Sequence, residues 1–97
     1  MSALNSNSSS VSDLVLYQSE TCWFCGRVRQ ALAEMQVNLV LRDIDHDLHF
    51  RQELASGGGK TQVPCLRIQH PDQRVEWMYE SADIIQYLAG RFAPRPA

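Results

Sequence analysis

Two cysteines three positions apart, Cys22 and Cys25 in the segment Cys22-Trp23-Phe24-Cys25, carry the most chemical potential in this chain. The thiolate, not the thiol, is the nucleophilic form of cysteine, and the free N–H groups and dipole of a helix N-terminus stabilise it. The segment falls where a short apolar run gives way to helical periodicity. Cys22 therefore sits at the mouth of a helix, and Cys25 lies one turn further in on the same side. A residue three positions on can reach back, so the pair can close to a disulfide with little distortion of the helix. Cys22 is the exposed attacking thiol of such a pair, and Cys25 the more buried resolving thiol.

A Cys-x-x-Cys segment is also half of a zinc site. The other ligands would have to come from Cys65, His46, His49 or His70. There is no second Cys-x-x-Cys, and His46-x-x-His49 has no matching cysteine pair at zinc-finger spacing, so no metal site is expected. The total of 3 cysteines is odd and a poor disulfide framework. Residues 1–12 are rich in Ser and Asn, with neither a basic region nor an apolar segment, and read as a disordered tail rather than a secretory signal. The expected compartment is the cytoplasm, where a close cysteine pair does redox chemistry more readily than it staples a fold.

The elements that must position the pair follow from periodicity. Residues 13–18 (DLVLYQ) form a short apolar strand. From Trp23 to Gln36, Phe24, Val28, Leu32 and Met35 recur at helical spacing with polar residues between them, predicting an amphipathic helix. Residues 38–43 (NLVLRD) make a second strand, and a strand–helix–strand crossover makes the two strands parallel. A weaker helix covers 45–55 and stops at Gly57-Gly58-Gly59. Pro64 opens a third strand at 65–69, and His70-Pro71-Asp72-Gln73 turns the chain into a fourth at 74–79, antiparallel to it. Ser81 is the expected N-cap of a last helix whose apolar face is Ile84, Ile85 and Leu88, with Asp83 at the positive end of its dipole. The order is βαβαββα, an α/β fold with one domain at 13–93 and a short C-terminal tail at 94–97.

Of 97 residues, 44% are hydrophobic and 21% charged, which is the composition of a globular domain, not a fibre or a disordered chain. A net charge of −2 gives no electrostatic footprint for nucleic acid or an anionic membrane, and no apolar run approaches a membrane span. Cys65 reads as a small buried hydrophobe. Of Trp77 and Met78, which alternate in a strand, one is expected in the core. Trp23 is left open between an exposed surface and a ring folded onto its helix. The acidic run Asp43 to Asp47 reads as a strand end and helix cap, and Gly57 to Thr61 as a helix stop and loop without phosphate-loop spacing.

Three segments in order resemble the glutaredoxins: Cys22-Trp23-Phe24-Cys25 after the first strand, Gln62-Val63-Pro64 before the third, and Glu80-Ser81-Ala82-Asp83 at the last helix. The resemblance covers about residues 13–92. It implies a thioredoxin-like fold, shared with the N-terminal domain of glutathione transferases, with a four-stranded mixed sheet flanked by helices. It further implies a cis Val63–Pro64 bond, with the backbone of Val63 beside Pro64 pairing with the cysteinyl part of glutathione. Glu80 would take the ammonium of the γ-glutamyl end, and Ser81 with its helix N-terminus the carboxylate. That Glu-Ser pair is similar to the transferase version more than to the usual glutaredoxin Gly-Gly. The implied activity is glutathione-dependent thiol–disulfide exchange through Cys22 and Cys25, with glutathione as co-substrate and protein disulfides or glutathionylated proteins as partners. Two departures stand out. Trp-Phe replaces the usual Pro-Tyr between the cysteines, and the lost proline leaves open a glutathione-supported 2Fe–2S cluster; Glu20 leaves open a glutathione-binding module of low turnover. Glu20 replaces a common lysine, and its carboxylate opposes both a thiolate and an anionic ligand; Lys60 is the candidate to restore positive charge.

Overall fold

A computed structural model describes residues 10–92 of the chain. The expected tails, apart from residues 10–12, lie outside the described residues. Strands are β1 (Ser10–Gln18), β2 (Asn38–Asp43), β3 (Cys65–Gln69) and β4 (Val75–Met78); helices are α1 (Trp23–Met35), α2 (Leu48–Gly58) and α3 (Ser81–Phe92). The sheet order is β2-β1-β3-β4. β1 runs parallel to β2 and antiparallel to β3, and β3 runs antiparallel to β4. This is the mixed four-stranded sheet of a thioredoxin-like fold. No helix among the described residues is long and apolar enough to cross a membrane.

Strand alternation splits the core in two, because successive side chains leave opposite faces of the sheet. Leu14, Leu16, Leu66 and Ile68 meet Val28 and Leu32 of α1 and Ile84 and Leu88 of α3 on one face. Val15, Tyr17 and Cys65 meet Ile44 and Leu54 on the other, under α2. Tyr17 donates to Glu53 at 2.9 Å, and Arg42 reaches the same carboxylate at 2.6 Å, so α2 is tied to β1 and β2. Arg91 at the end of α3 grips both carboxylate oxygens of Asp13, at 2.9 and 3.0 Å.

Several boundaries differ from the expectation, each for a local reason. β1 starts at Ser10, three residues early, where Ser10 pairs with Asn38. α2 starts at Leu48, not at residue 45: Asp43 accepts from the N–H groups of Asp45 and His46 in a turn, and Asp47 then caps the helix by accepting from His49. The helix also runs through Gly57 and Gly58 and ends at Gly59, whose φ of 94° is left-handed. A Cβ at Gly57 would meet the Trp77 ring, and one at Gly58 the Tyr79 hydroxyl. These glycines are thus a seat for two aromatic rings before they are a stop. Ser81 is the first residue of α3, and the Glu80 carbonyl accepts its opening bond, from Ile84 at 2.8 Å; the cap position expected for Ser81 belongs to Glu80. Trp77 and Met78 are both half-buried, each against its own core.

Candidate active site

α1 begins on its own reactive residue. Cys22 is the N-cap, in extended backbone conformation, and its sulfur accepts from the Cys25 N–H at 3.3 Å. A capping side chain takes up one of the four N–H groups a helix start leaves free; here the acceptor is a thiol sulfur. On its other side, Cys22 Sγ stands 3.8 Å from the Val63 carbonyl oxygen. The Val63–Pro64 peptide is cis, as the resemblance implied. The loop before β3 and the start of α1 therefore meet at one sulfur atom.

Cys25 is fully buried, and its sulfur accepts from the Ser19 N–H at 3.4 Å. Burial first, and Cys22 beside it second, push the Cys25 thiol up to about 12. Burial also pushes Cys65 up to about 12. Cys65 belongs to the α2 face of the sheet, whereas Cys25 heads the α1 face, so the third cysteine is a core residue.

The buried stripe of α1 is Cys25, Val28 and Leu32. The periodicity had put Phe24 on that stripe. It is 53% exposed instead, because Cys25 takes the first inward position of the helix. Trp23 is 69% exposed, edge-on to Phe24, with the Arg27 guanidinium over its ring at 5.6 Å. That settles the open question over Trp23 in favour of the surface.

Two hollows lie at the start of α1, one of them lined by Cys22. Phe24, Gln62, Val63, Pro64, Tyr79, Glu80 and Ser81 enclose a cleft of about 140 Å³. All four expected glutathione contacts, Val63, Pro64, Glu80 and Ser81, are in it. Phe24, Gln62 and Tyr79 are the members the sequence reading gave no role at the site; Cys25 as the first inward residue of α1 is the signal that turns Phe24 outward. A broader hollow of about 470 Å³ holds Cys22 with Glu20, Trp23, Arg27 and Arg29. Glu20 accepts from the Gln18 amide at 3.4 Å. The Lys60 ammonium is 4.7 Å from the centre of the ring of Tyr79, a cleft residue.

Nothing at the site supports the glutathione-supported 2Fe–2S cluster that the resemblance left open. Cys22 is the one cysteine not buried, and the Cys25 sulfur is turned to Ser19. No group of three or more His, Cys, Asp or Glu side chains that could hold a metal ion occurs among the described residues.

A fold of this topology, with a thiol at the start of its first helix and a Glu-Ser pair at the start of its last, defines a class. Residues 16–96 match the family model of the glutathione S-transferase N-terminal domain, and the chain belongs to that family. The glutaredoxin family that the three segments resembled is not the one matched. Among solved structures, a trimeric glutathione transferase of Leishmania is similar at 33% identity, with a TM-score of 0.67 over 84% of this chain and 18% of its own. A maleylacetoacetate isomerase from Anaeromyxobacter dehalogenans, with glutathione bound in its active site, is similar at 30% identity, with a TM-score of 0.61 over 87% of this chain and 39% of its own. A diazinon-metabolizing glutathione S-transferase of the silkworm Bombyx mori is 25% identical, with a TM-score of 0.63 over 84% of this chain and 39% of its own. This chain thus spans less than half the length of each. Among curated protein sequences none matches it.

Proposed function

We propose that this domain is a glutathione-dependent thiol–disulfide oxidoreductase built on the glutathione transferase N-terminal fold. The observation that carries the reading is the asymmetry of its two thiols. Cys22 caps α1, open to a hollow; Cys25 is buried one turn below, with its N–H on the Cys22 sulfur. Glutathione is the expected ligand because a similar structure, the isomerase, holds it in its active site. In the cleft the Val63 backbone would pair with its cysteinyl part. Glu80 would hold the ammonium of the γ-glutamyl end, and Ser81 with the N-terminus of α3 the carboxylate. Lys60, over the ring of the cleft residue Tyr79, offers a positive charge opposite in sign to Glu20.

In the reaction, the Cys22 thiolate attacks the glutathione sulfur of a glutathionylated protein. The Cys22–glutathione bond forms, the old disulfide breaks, and the protein thiolate leaves and takes up a proton. A second glutathione then attacks and releases oxidised glutathione, or Cys25 attacks Cys22 and releases reduced glutathione. Cys22→Ser should abolish the reduction of a glutathionylated peptide by glutathione, and Cys25→Ser should retain it. Equal loss of activity in both variants would reject the assignment.

A further inference from the structure

The loop between β1 and α1 is held by one cation. Arg29, two turns into α1, donates to the side-chain oxygen of Gln18 and, at 3.2 Å, to the main-chain oxygen of Ser19. Ser19 is the residue whose N–H points at the Cys25 sulfur, at 3.4 Å. Gln18 and Ser19 are both buried, so this is a built arrangement and not a surface accident. The acceptors of Arg29 are neutral, and it has no ion pair among the described residues. Its charge is therefore left to act on what lies beside it. The Ser19 N–H and the Arg29 charge both favour the Cys25 thiolate, against the burial that opposes it. The acids nearby are engaged elsewhere: Asp45 accepts from the Ser19 hydroxyl and pairs with Arg51 at 3.4 Å, and Glu20 accepts from Gln18.

We propose that Arg29 is the positioning residue of the resolving step: it holds the Ser19 N–H on Cys25 and lends its charge to the thiolate that forms there. This rests on the reading of Cys25 as the resolving thiol. In that step the Cys25 thiol gives its proton to solvent, and its sulfur attacks Cys22 Sγ in a mixed disulfide. The Cys25–Cys22 bond forms, the bond from Cys22 to the outgoing sulfur breaks, and the electron pair leaves with that thiolate. Arg29 has no hydrogen bond to either sulfur; it acts through Ser19, whose carbonyl it holds at 3.2 Å. Loss of Arg29 would free the Ser19 main chain and remove a charge that favours the Cys25 thiolate, so less thiolate forms at fixed pH.

Dithiobis(nitrobenzoate) tests this on the whole chain carrying Cys65→Ser. Attack by Cys22 releases one thionitrobenzoate. Attack by Cys25 then releases a second, in a phase independent of reagent concentration. Arg29→Gln should slow the second phase by about threefold or more, because a loss of thiolate is partly offset by its greater nucleophilicity, and Arg29→Lys, which restores the charge, should lie nearer the parent than Arg29→Gln does. A second phase as fast in Arg29→Gln as in the parent, or one as slow in Arg29→Lys as in Arg29→Gln, overturns the role of Arg29 and leaves Cys25 as the resolving thiol. A parent chain with no second phase overturns both readings together.

Discussion

Alkylation of the native chain should distinguish its three thiols sharply. Cys25 and Cys65 are fully buried, and burial is the leading cause that pushes each up to about 12 from an ordinary 9.0. At pH 8 a thiol at about 12 is thiolate in roughly one molecule in 10,000, against about one in ten at 9. The reactive fraction is thus about a thousandfold smaller, before any steric exclusion of the reagent. The sign with pH is fixed: the thiolate fraction of both groups rises about tenfold per pH unit up to about 12, and at pH 8 and below it stays no higher than roughly one in 10,000. Reduced protein treated with iodoacetamide at pH 8 and read by intact mass should add one group quickly, at Cys22 by peptide mapping, and three once unfolded in guanidinium. Cys22→Ser should then add none on the timescale of the first. If Cys25 in that variant is labelled as fast as Cys22 in the parent, burial does not separate the two thiols, and the division into attacking and resolving residues fails.

Other expectations rest on particular contacts. Gly57→Ala adds helix propensity yet drives a methyl into the Trp77 ring; the overpacking should win and cost about 1–3 kcal/mol, seen as a lower urea midpoint at constant slope. A midpoint equal to or above the parent's would show that the ring moves aside freely. Glu80→Gln should weaken glutathione binding by about 1–2 kcal/mol in calorimetric titration, with the enthalpy falling as the charge-assisted bond to the ammonium is lost; an unchanged affinity rejects the pose. The Arg91 hydrogen bond holds the Asp13 carboxyl below 3.8. Its folded value is below its unfolded one, so the pair stabilises above about pH 4 and that contribution is lost as pH falls through the folded value. Both partners are about a third exposed, so the effect is a modest one of under about 1 kcal/mol; the parent's Tm should exceed that of Arg91→Gln at pH 7, with the gap closing toward pH 2. A gap independent of pH would mean the pair contributes by packing alone.

Much of this molecule is written locally. The alternation of residues 13–18 between two apolar sets, the 3.6-residue spacing of Val28 and Leu32, and the Ile84–Leu88 pair are properties of short windows, and they sufficed for the βαβαββα order. So did the placing of Cys22 at a helix start, because the change from strand to helix period occurs there. The register of Phe24 and Cys25 was not so legible. Both are apolar and adjacent, and which one faces inward depends on the angle at which α1 meets the sheet, set by Val28 and Leu32 seating on Leu14 and Leu16. Gly57 and Gly58 read as a stop for the same reason that glycine usually is one; only the Trp77 and Tyr79 rings, about 20 residues on, make them part of a helix that must pass beneath aromatic surface. Ser81 has the side chain of a cap, but the chain geometry at the end of β4 starts the helix one residue earlier. The meeting of the Val63 carbonyl with the Cys22 sulfur, and of Arg29 with Gln18 and Ser19, joins residues 41 and about 10 positions apart. No local pattern encodes such pairs, because strand pairing across β1 and β3 and the packing of α1 create them. Family membership is a matter of sequence: three motifs in order resemble the glutaredoxins, with a Glu80-Ser81 pair of the transferase type, and the match over residues 16–96 identifies the glutathione S-transferase N-terminal domain.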